Sequence, residues 1–582
     1  MITNNLYIYN KVKKVRKQIV HFSLFTLAFT MLTSCSDFLE ILPMNTTVLE
    51  NYWKEKADVT GAVNGCYEAL ASEDVVTRMG VWGEARSENI VLGNNDGGNN
   101  GMFKDLDELL KENLLPTNQL CQWSKIYNVI NRCNIVCHYA PEVQQVDPNY
   151  TYNEMNATIA EMKTIRALCY FYLIRTFRDV PYTTQPSIDD NQNFVIPATP
   201  FEQVLDSLIA DLELVKDDAQ RRFGQEKVVN KSISVPAENN SRITRWATYA
   251  LLADLYLWKG DWDNVIKYCD LVINYKKQQY DELIQADQIN DVDLYDGIPM
   301  LLEALKGTRE EVGNVYTSLF GNGNSFESIF EIYYNGNAEQ ENNWVSAYYG
   351  NSSRSVGRLK AAEFLCSGFT EDNNQLWMSQ RDCRAYESIE QEGNNYTITK
   401  YTRPSATFSL QRLGNVKVKP ERRSANDANW IIYRMSDILL MKAEALILRS
   451  ENDWPEAFKL INIVYKRANN ITPDNTVGGL SYETYSTSKD KMEDLLMEER
   501  HREFLFEGKH WFDLVRLARR DGKTDRLSSY AIRKYTQDVN VVKIKLADPN
   551  YIYFPYAKSE LRANPLLTQN PAFNKSDDGV LK

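Results

Sequence analysis

The chain has 582 residues, of which 43% are hydrophobic and 12% aromatic, and a net charge of −12 from 78 Asp+Glu against 66 Lys+Arg. An acidic balance of that size argues against nucleic acid and anionic lipid surfaces as partners, while the hydrophobic share is enough for a large core. Nine cysteines without a C-x-x-C pair or a dense framework indicate neither a structural zinc nor a disulfide scaffold.

The chain opens on a processing segment. Lys11, Lys13, Lys14, Arg16 and Lys17 precede an apolar run over residues 19–32, shorter than the ~20 residues needed to span a bilayer. The run closes on Leu32-Thr33-Ser34-Cys35, which resembles a bacterial lipoprotein signal. Residues 1–34 would then be removed and Cys35 acylated, with more than one acyl chain needed for a lasting anchor.

Residues 53–70 read as a first helix, with Val63, Cys66 and Leu70 on one side. The run Val81-Trp82-Gly83-Glu84-Ala85-Arg86-Ser87-Glu88-Asn89 leads into GNNDGGNNG at 93–101, too poor in apolar groups to be anything but a loop. Trp123, Ile126, Tyr127 and Ile130 form one helical stripe, and Ile159, Met162, Ile165, Cys169, Leu173 and Phe177 form its partner, ending at Asp179-Val180-Pro181. Phe201, Val204, Leu205, Leu208, Leu212 and Val215 mark another helix. In RWATYALLADLYLWKGDWDNVIKYCDLVI, Gly260 stops one helix and Asp261 caps the next.

Between about 276 and 429 the periodicity fades into an Asn-, Gly-, Tyr- and Ser-rich segment with strand-like runs at 328–334 and 396–401. So long a stretch without a regular pattern is where a binding surface is expected. Residues 433–469 then read as a helical hairpin, with Asn452 predicted to end the first helix in a left-handed conformation and Pro455 to open the second. Helices over 489–520 and a terminal YIYFP block complete the chain.

Several of these blocks resemble the SusD/RagB family. They are Tyr433, Arg434, Asp437, Leu440 and Lys442-Ala443-Glu444-Ala445 with Leu460-Ile461-Asn462 and Arg467-Ala468; EMKTIRALCYFYLIRTFRDVPY; EERHREFLFEGKHWFDLVRL; and NPLLTQNP near the C-terminus. One departure is Arg178, where the pattern calls for glycine. The resemblance runs from Cys35 to the C-terminus. It implies an all-α protein, a tetratricopeptide-like scaffold of helical hairpins with an irregular, loop-rich ligand-binding subdomain carrying short strands. The corresponding divisions are a lipoprotein signal (1–34), an N-terminal hairpin region (35–275), a binding segment (276–429) and a C-terminal region (430–582). It also implies an outer-membrane lipoprotein at the cell surface that binds an oligosaccharide for a SusC-like TonB-dependent transporter, without catalysis and without a cofactor. A peptide receptor of the same family and a protein–protein scaffold are the alternatives.

The residues themselves offer little catalytic chemistry. Glu84 and Glu88 are spaced for one helical face, as a glycosidase pair would need, but Arg86 lies between them. His501 and His510 stand among Glu498, Glu499, Glu503, Glu507 and Asp513 without H-E-x-x-H spacing, which favours a charged hairpin bridged by Arg500, Arg502 and Lys509 over a metal site. Asp291, Asp293, Asp296 and Gly297 approach a calcium loop, yet the twelfth position is Leu302.

Aromatics in polar settings are the better clue, because a sugar ring lays its C–H face on Trp or Tyr while amides and Arg bind its hydroxyls. The irregular segment supplies Phe320, Phe326, Tyr333, Tyr334, Trp344, Tyr348 and Tyr349 among asparagines. Trp344, Tyr348 and Tyr349 with Asn343, set in ENNWVSAYYGN, are the first expected contacts. By family resemblance, Arg86, Asn94, Asn95 and Phe103 are the second set.

Overall fold

Apolar residues recurring at three- and four-residue steps coil the chain into helices that cannot bury their stripes alone, so they stack. The computed structural model describes residues 52–574, apart from 94–101, 189–191, 193–194, 285–288, 308–310, 337–339, 351–356, 366–375, 394, 410–421, 474 and 476–477. The main helices are α1 (Lys56–Leu70), α2 (Glu73–Glu84), α3 (Met102–Leu110), α4 (Ser124–Val146), α5 (Tyr152–Phe177) and α6 (Phe201–Val215). They continue as α7 (Arg245–Lys259), α8 (Trp262–Ile284), α9 (Met435–Arg449), α10 (Trp454–Ala468), α11 (Lys489–Phe504) and α12 (His510–Asp521). From α4 to α10 each packs on the next, α1 covers α4, and α11 closes on α9 and α10. This is the expected mostly helical hairpin scaffold with a few short strands, and Glu55–Lys582 forms one compact unit.

Local signals behave as their chemistry requires. Thr151 and Glu154 close a reciprocal cap at the start of α5, whose residues 164–177 are buried on every side. Gly260 ends α7 at φ +79°, and Asp261 accepts from the Asn264 N–H at 3.2 Å to start α8. Arg178, at the position where glycine is the pattern, takes φ +69° and is held there by Asp179 at 3.0 Å and Asn550 at 2.9 Å. Cys66, Cys121, Cys133, Cys169, Cys269 and Cys383 are free, buried thiols.

Some boundaries differ from the sequence expectation. The first helix begins at Lys56 rather than at residue 53. Tyr433 and Arg434 are not helical: they end a strand, and α9 starts at Met435. Asn452 is not left-handed. A short 3₁₀ turn, Glu451–Asp453, capped by the Ser450 hydroxyl, makes the connection, while Pro455 does sit in the first turn of α10.

In the irregular segment, β1 (Val292–Tyr295) and β2 (Ile298–Leu301) form a hairpin whose two-residue turn is Asp296-Gly297, both at positive φ. The Asp–Gly pair that hinted at a calcium loop is thus turn chemistry. Downstream, β3 (Ser328–Ile332) pairs antiparallel with β4 (Trp430–Arg434), placing Ile332 opposite Trp430 and tying the segment to the strand that feeds α9.

Candidate ligand-binding cleft

An open cleft of about 960 Å³ lies between the C-terminal half of α1, the N-terminal half of α4 and the chain leaving β3. Amphipathic spacing makes its walls. In α1, Val59, Val63, Cys66 and Leu70 turn inward and leave Asn64 and Glu68 outside; in α4, Ile126, Val129, Ile130 and Cys133 turn inward and leave Lys125, Asn128 and Arg132. The third wall follows β3. Tyr334 is buried, donating its hydroxyl to the Ala71 carbonyl at 2.8 Å and its N–H to Asn429 at 3.1 Å. Its neighbour Tyr333 therefore points outward, 42% exposed, and presents its ring to the cleft.

The polar groups around that ring are held in place. Arg132 donates to Asn128 at 3.1 Å and to the Gly65 carbonyl at 3.2 Å. Arg242 forms a two-point pair with Glu161 at 2.8 and 2.9 Å, and Tyr67 donates to the same carboxylate at 2.5 Å. Burial, reinforced by Glu161, pushes the Tyr67 phenol well above its ordinary range, so it stays a neutral donor. Glu341 accepts from Asn426 at 3.1 Å, and Asn343 lines the same wall, half-buried. An exposed phenol ring among fixed amides, guanidinium groups and carboxylates can take a flat, hydroxyl-rich ligand.

Three of the expected contacts are elsewhere. Trp344, Tyr348 and Tyr349 are 0%, 3% and 0% exposed, and no face of theirs is open to a ligand. Trp344 packs on Tyr348 at 4.3 Å, Tyr349 at 5.4 Å and Trp430 at 6.2 Å, with Gly80 against its edge, while Tyr349 donates to the Phe506 carbonyl at 3.0 Å. Phe320, Phe326 and Tyr334 are buried too. Phe103 is half-buried under the Arg358 guanidinium, 6.4 Å from Tyr348, and does not line the cleft. Cys35, Asn94 and Asn95 lie outside the described residues.

With this geometry in view, the similarities of the chain become informative. The family model described as the SusD family matches residues 330–573. SusD-like protein P38 of Formosa agariphila is 25% identical over 502 residues, covering 85% of this chain and 90% of that protein, and SusD-like protein P25 of the same organism is 24% identical over 572 residues, covering 93% and 96%. Among solved structures, a SusD superfamily protein of Bacteroides vulgatus superposes with a TM-score of 0.62 at 20% identity, covering 90% of this chain and all of its own. The surface glycan-binding protein A of Bacteroides thetaiotaomicron, solved with laminarihexaose, superposes at 0.58 with 19% identity, covering 89% and 100%. Residues 330–573 thus match the SusD family, and the chain as a whole is similar to SusD-like proteins.

Within this SusD-like fold, the 81–89 run and the EERHREFLFEGKHWFDLVRL block are internal braces. Arg86 is fully buried: it pairs with Glu112 at 2.7 Å, donates to the Ile552 and Tyr551 carbonyls at 2.8 and 2.9 Å, and stacks on Trp511 at 4.5 Å. It clamps the 81–89 run to the terminal YIYFP block and is no ligand contact, because none of its surface reaches solvent. Glu84 and Glu88 are likewise wholly buried and face no cleft. Glu84 accepts from Asn89 at 2.7 Å and from the Gly508 N–H at 3.0 Å, and burial raises its carboxyl to about 7.

EERHREFLFEGKHWFDLVRL supplies the other half of these braces. Glu507 accepts from Arg434 at 2.7 Å and Lys400 at 2.7 Å, and Glu503 meets Arg434, Arg467 and Arg384. The expected bridges within this hairpin form, Arg500 with Asp513 at 2.9 Å and Arg502 with Glu499 at 2.9 Å, while Lys509 reaches Asp437. His501 and His510 are drawn inward to Glu88, where the three could hold a cation. Tyr333 was among the aromatics legible in the sequence, but Asn64, Asn128 and Arg132 were missed. Their only signal is the polar face of an amphipathic helix, which looks the same whether it meets a cleft or bulk water.

Proposed function

We propose that this chain is a lipid-anchored outer-membrane protein that binds oligosaccharides in the cleft beside Tyr333 and passes them, chemically unchanged, to a SusC-like TonB-dependent transporter. The observation that carries the reading is the cleft itself: an outward Tyr333 ring set among Asn128, Arg132, Asn343 and Glu341, in a volume of about 960 Å³. That combination matches a pyranose, which stacks its C–H face and hydrogen-bonds along its edge. The SusD-family match over residues 330–573 and the superposition on a glycan-binding protein solved with laminarihexaose support the ligand class. The interior position of Glu84 and Glu88 supports binding without turnover. Cys35 at the end of the leader supports an acyl anchor, and among the described residues no helix is long and apolar enough to cross a membrane.

Titration calorimetry of the wild type and Tyr333→Ala against panels of oligosaccharides, laminarihexaose included, and of peptides tests the ligand class. Heat is expected with an oligosaccharide, with affinity about tenfold weaker in the variant for the loss of one stacked ring, and with an unchanged melting temperature. Heat with peptides alone, or an unaffected Tyr333→Ala, overturns the proposal. Recovery of the chain from detergent-solubilised outer membranes without a transporter barrel overturns the delivery step.

A further inference from the structure

Three ionisable side chains from remote parts of the chain meet in the interior, where two of them form a close ion pair but the atoms they turn toward one another make no well-aligned hydrogen bond. Glu88 lies near the end of the 81–89 run, His501 in α11, and His510 opens α12. They are 0%, 1% and 1% exposed, and one ligand atom from each lies within 4.8 Å of the others. Glu88 Oε2 is 3.3 Å from His510 Nε2, and Glu88 Oε1 is 3.8 Å from His501 Nδ1. Even so, both carboxylate oxygens, His501 Nδ1 and both nitrogens of His510 lack an aligned hydrogen bond. Buried polar atoms are rarely left so, and five in one place require an explanation.

The far side of His501 supplies it. Its Nε2 faces Asn89 Oδ1 at 2.5 Å, and the same amide donates through Nδ2 to Glu84 Oε1 at 2.7 Å, which orients the oxygen toward the ring. Nε2 therefore carries the proton, and the Nδ1 lone pair is directed toward Glu88. A second group that holds the distal N–H and fixes the tautomer is the usual support of a metal-bound imidazole.

We propose that Glu88, His501 and His510 form a buried structural site for a divalent transition-metal ion of the zinc class. Four-coordinate zinc with bonds of about 2.0–2.2 Å places its ligand atoms about 3.3–3.6 Å apart; Glu88 is at 3.3 Å from His510, and His501, at 3.8 Å, would close in by a few tenths of an ångström. Two imidazole nitrogens with one carboxylate oxygen suit zinc, cobalt or iron(II), whereas calcium and magnesium take oxygen ligands. The rings are stacked at 3.9 Å and 9°; parallel rings cannot aim both lone pairs at one point, so closure on an ion tilts them apart. Arg533, 4.0 Å from Glu88 Oε1, is the competing cation, and the Glu84 carboxylate hydrogen-bonded to Asn89 offsets it. The ion would tie the 81–89 run to α11 and α12, and a water would fill the fourth position.

The test uses the tag-free mature chain, unfolded with chelator and refolded with Co²⁺ or Zn²⁺, so that burial does not block entry. One cobalt per chain with a visible d–d band, X-ray absorption showing two imidazole ligands, and a higher melting temperature with Zn²⁺ are expected. Glu88→Gln and His510→Gln should each weaken Co²⁺ binding by more than about 100-fold, and His138→Gln should leave it unchanged. No metal retained after refolding, an imidazole count other than two, or full binding by the Glu88 and His510 variants overturns the proposal. Where a variant does not fold, the wild-type imidazole count decides.

Discussion

Replacing Trp344 by Ala separates a core residue from a ligand contact. The indole is fully buried between Tyr348, Tyr349 and Trp430, and Gly80 packs so closely that a Cβ there would come within 2.5 Å of its ring. Truncating a buried Trp costs about 3–5 kcal/mol, and the unpartnered Trp344 Nε1 places this one near about 4 kcal/mol, because the native state already tolerates one orphaned N–H. A unit of about 530 residues unfolds with an entropy of about 1.1 kcal/mol per kelvin, so the melting temperature should fall by about 4 °C. Trp344→Phe, which keeps a ring and removes the orphan, should lose less than half of that. The assay is thermal unfolding followed by circular dichroism, alongside calorimetric titration with the oligosaccharide that the wild type binds. A Trp344→Ala protein that melts within about 1 °C of the wild type but no longer binds would refute this account and restore the indole as a contact.

Two further outcomes probe the braces. Gly83→Ala should cut soluble yield and melting temperature sharply, since the new Cβ would overlap the Gly508 carbonyl oxygen, which is backbone and cannot swing away; an unchanged melt counts against the close approach of α2 to the turn before α12. Burial alone would raise the Glu507 carboxyl, but Arg434 and then Lys400 beside it hold it below its ordinary range. A depressed folded-state value means stability that is complete above the unfolded carboxylate value, about 4.3, and is lost as pH falls through the folded one. Glu507→Gln should therefore cost about 3–5 kcal/mol in urea unfolding at pH 7, because it leaves the buried Lys400 ammonium without a carboxylate while Arg434 keeps only Glu503, and the gap should narrow in acid; a gap independent of pH would remove Glu507 from the brace.

The helices were legible because their signal is local. Apolar steps of three and four, Gly260 and Pro455 each act within a turn or two, so α6, α7, α10 and the cap at Asp261 follow from the text alone. Turns whose geometry depends on a neighbour were less legible: Ser450, and not Asn452, organises the α9–α10 connection, and Arg178 is held at positive φ by Asn550, far along the chain. The calcium-like run, already out of register for a metal loop, is a tight hairpin, for which Asp–Gly is equally suited.

What the sequence determined by itself is the stack of amphipathic hairpins and, through its blocks, the likeness to SusD-like proteins. What only tertiary structure decided is which ring faces water and which charges converge. Asparagines around Trp344 promised exposure, yet Gly80 and Trp430, remote in sequence, enclose it, while Tyr333 turns outward because Tyr334 is pinned to Ala71. Glu88 meets His501 and His510 only once α2, α11 and α12 are packed. Helical period is a property of neighbouring residues, whereas burial and charge pairing depend on the surfaces that distant segments bring together.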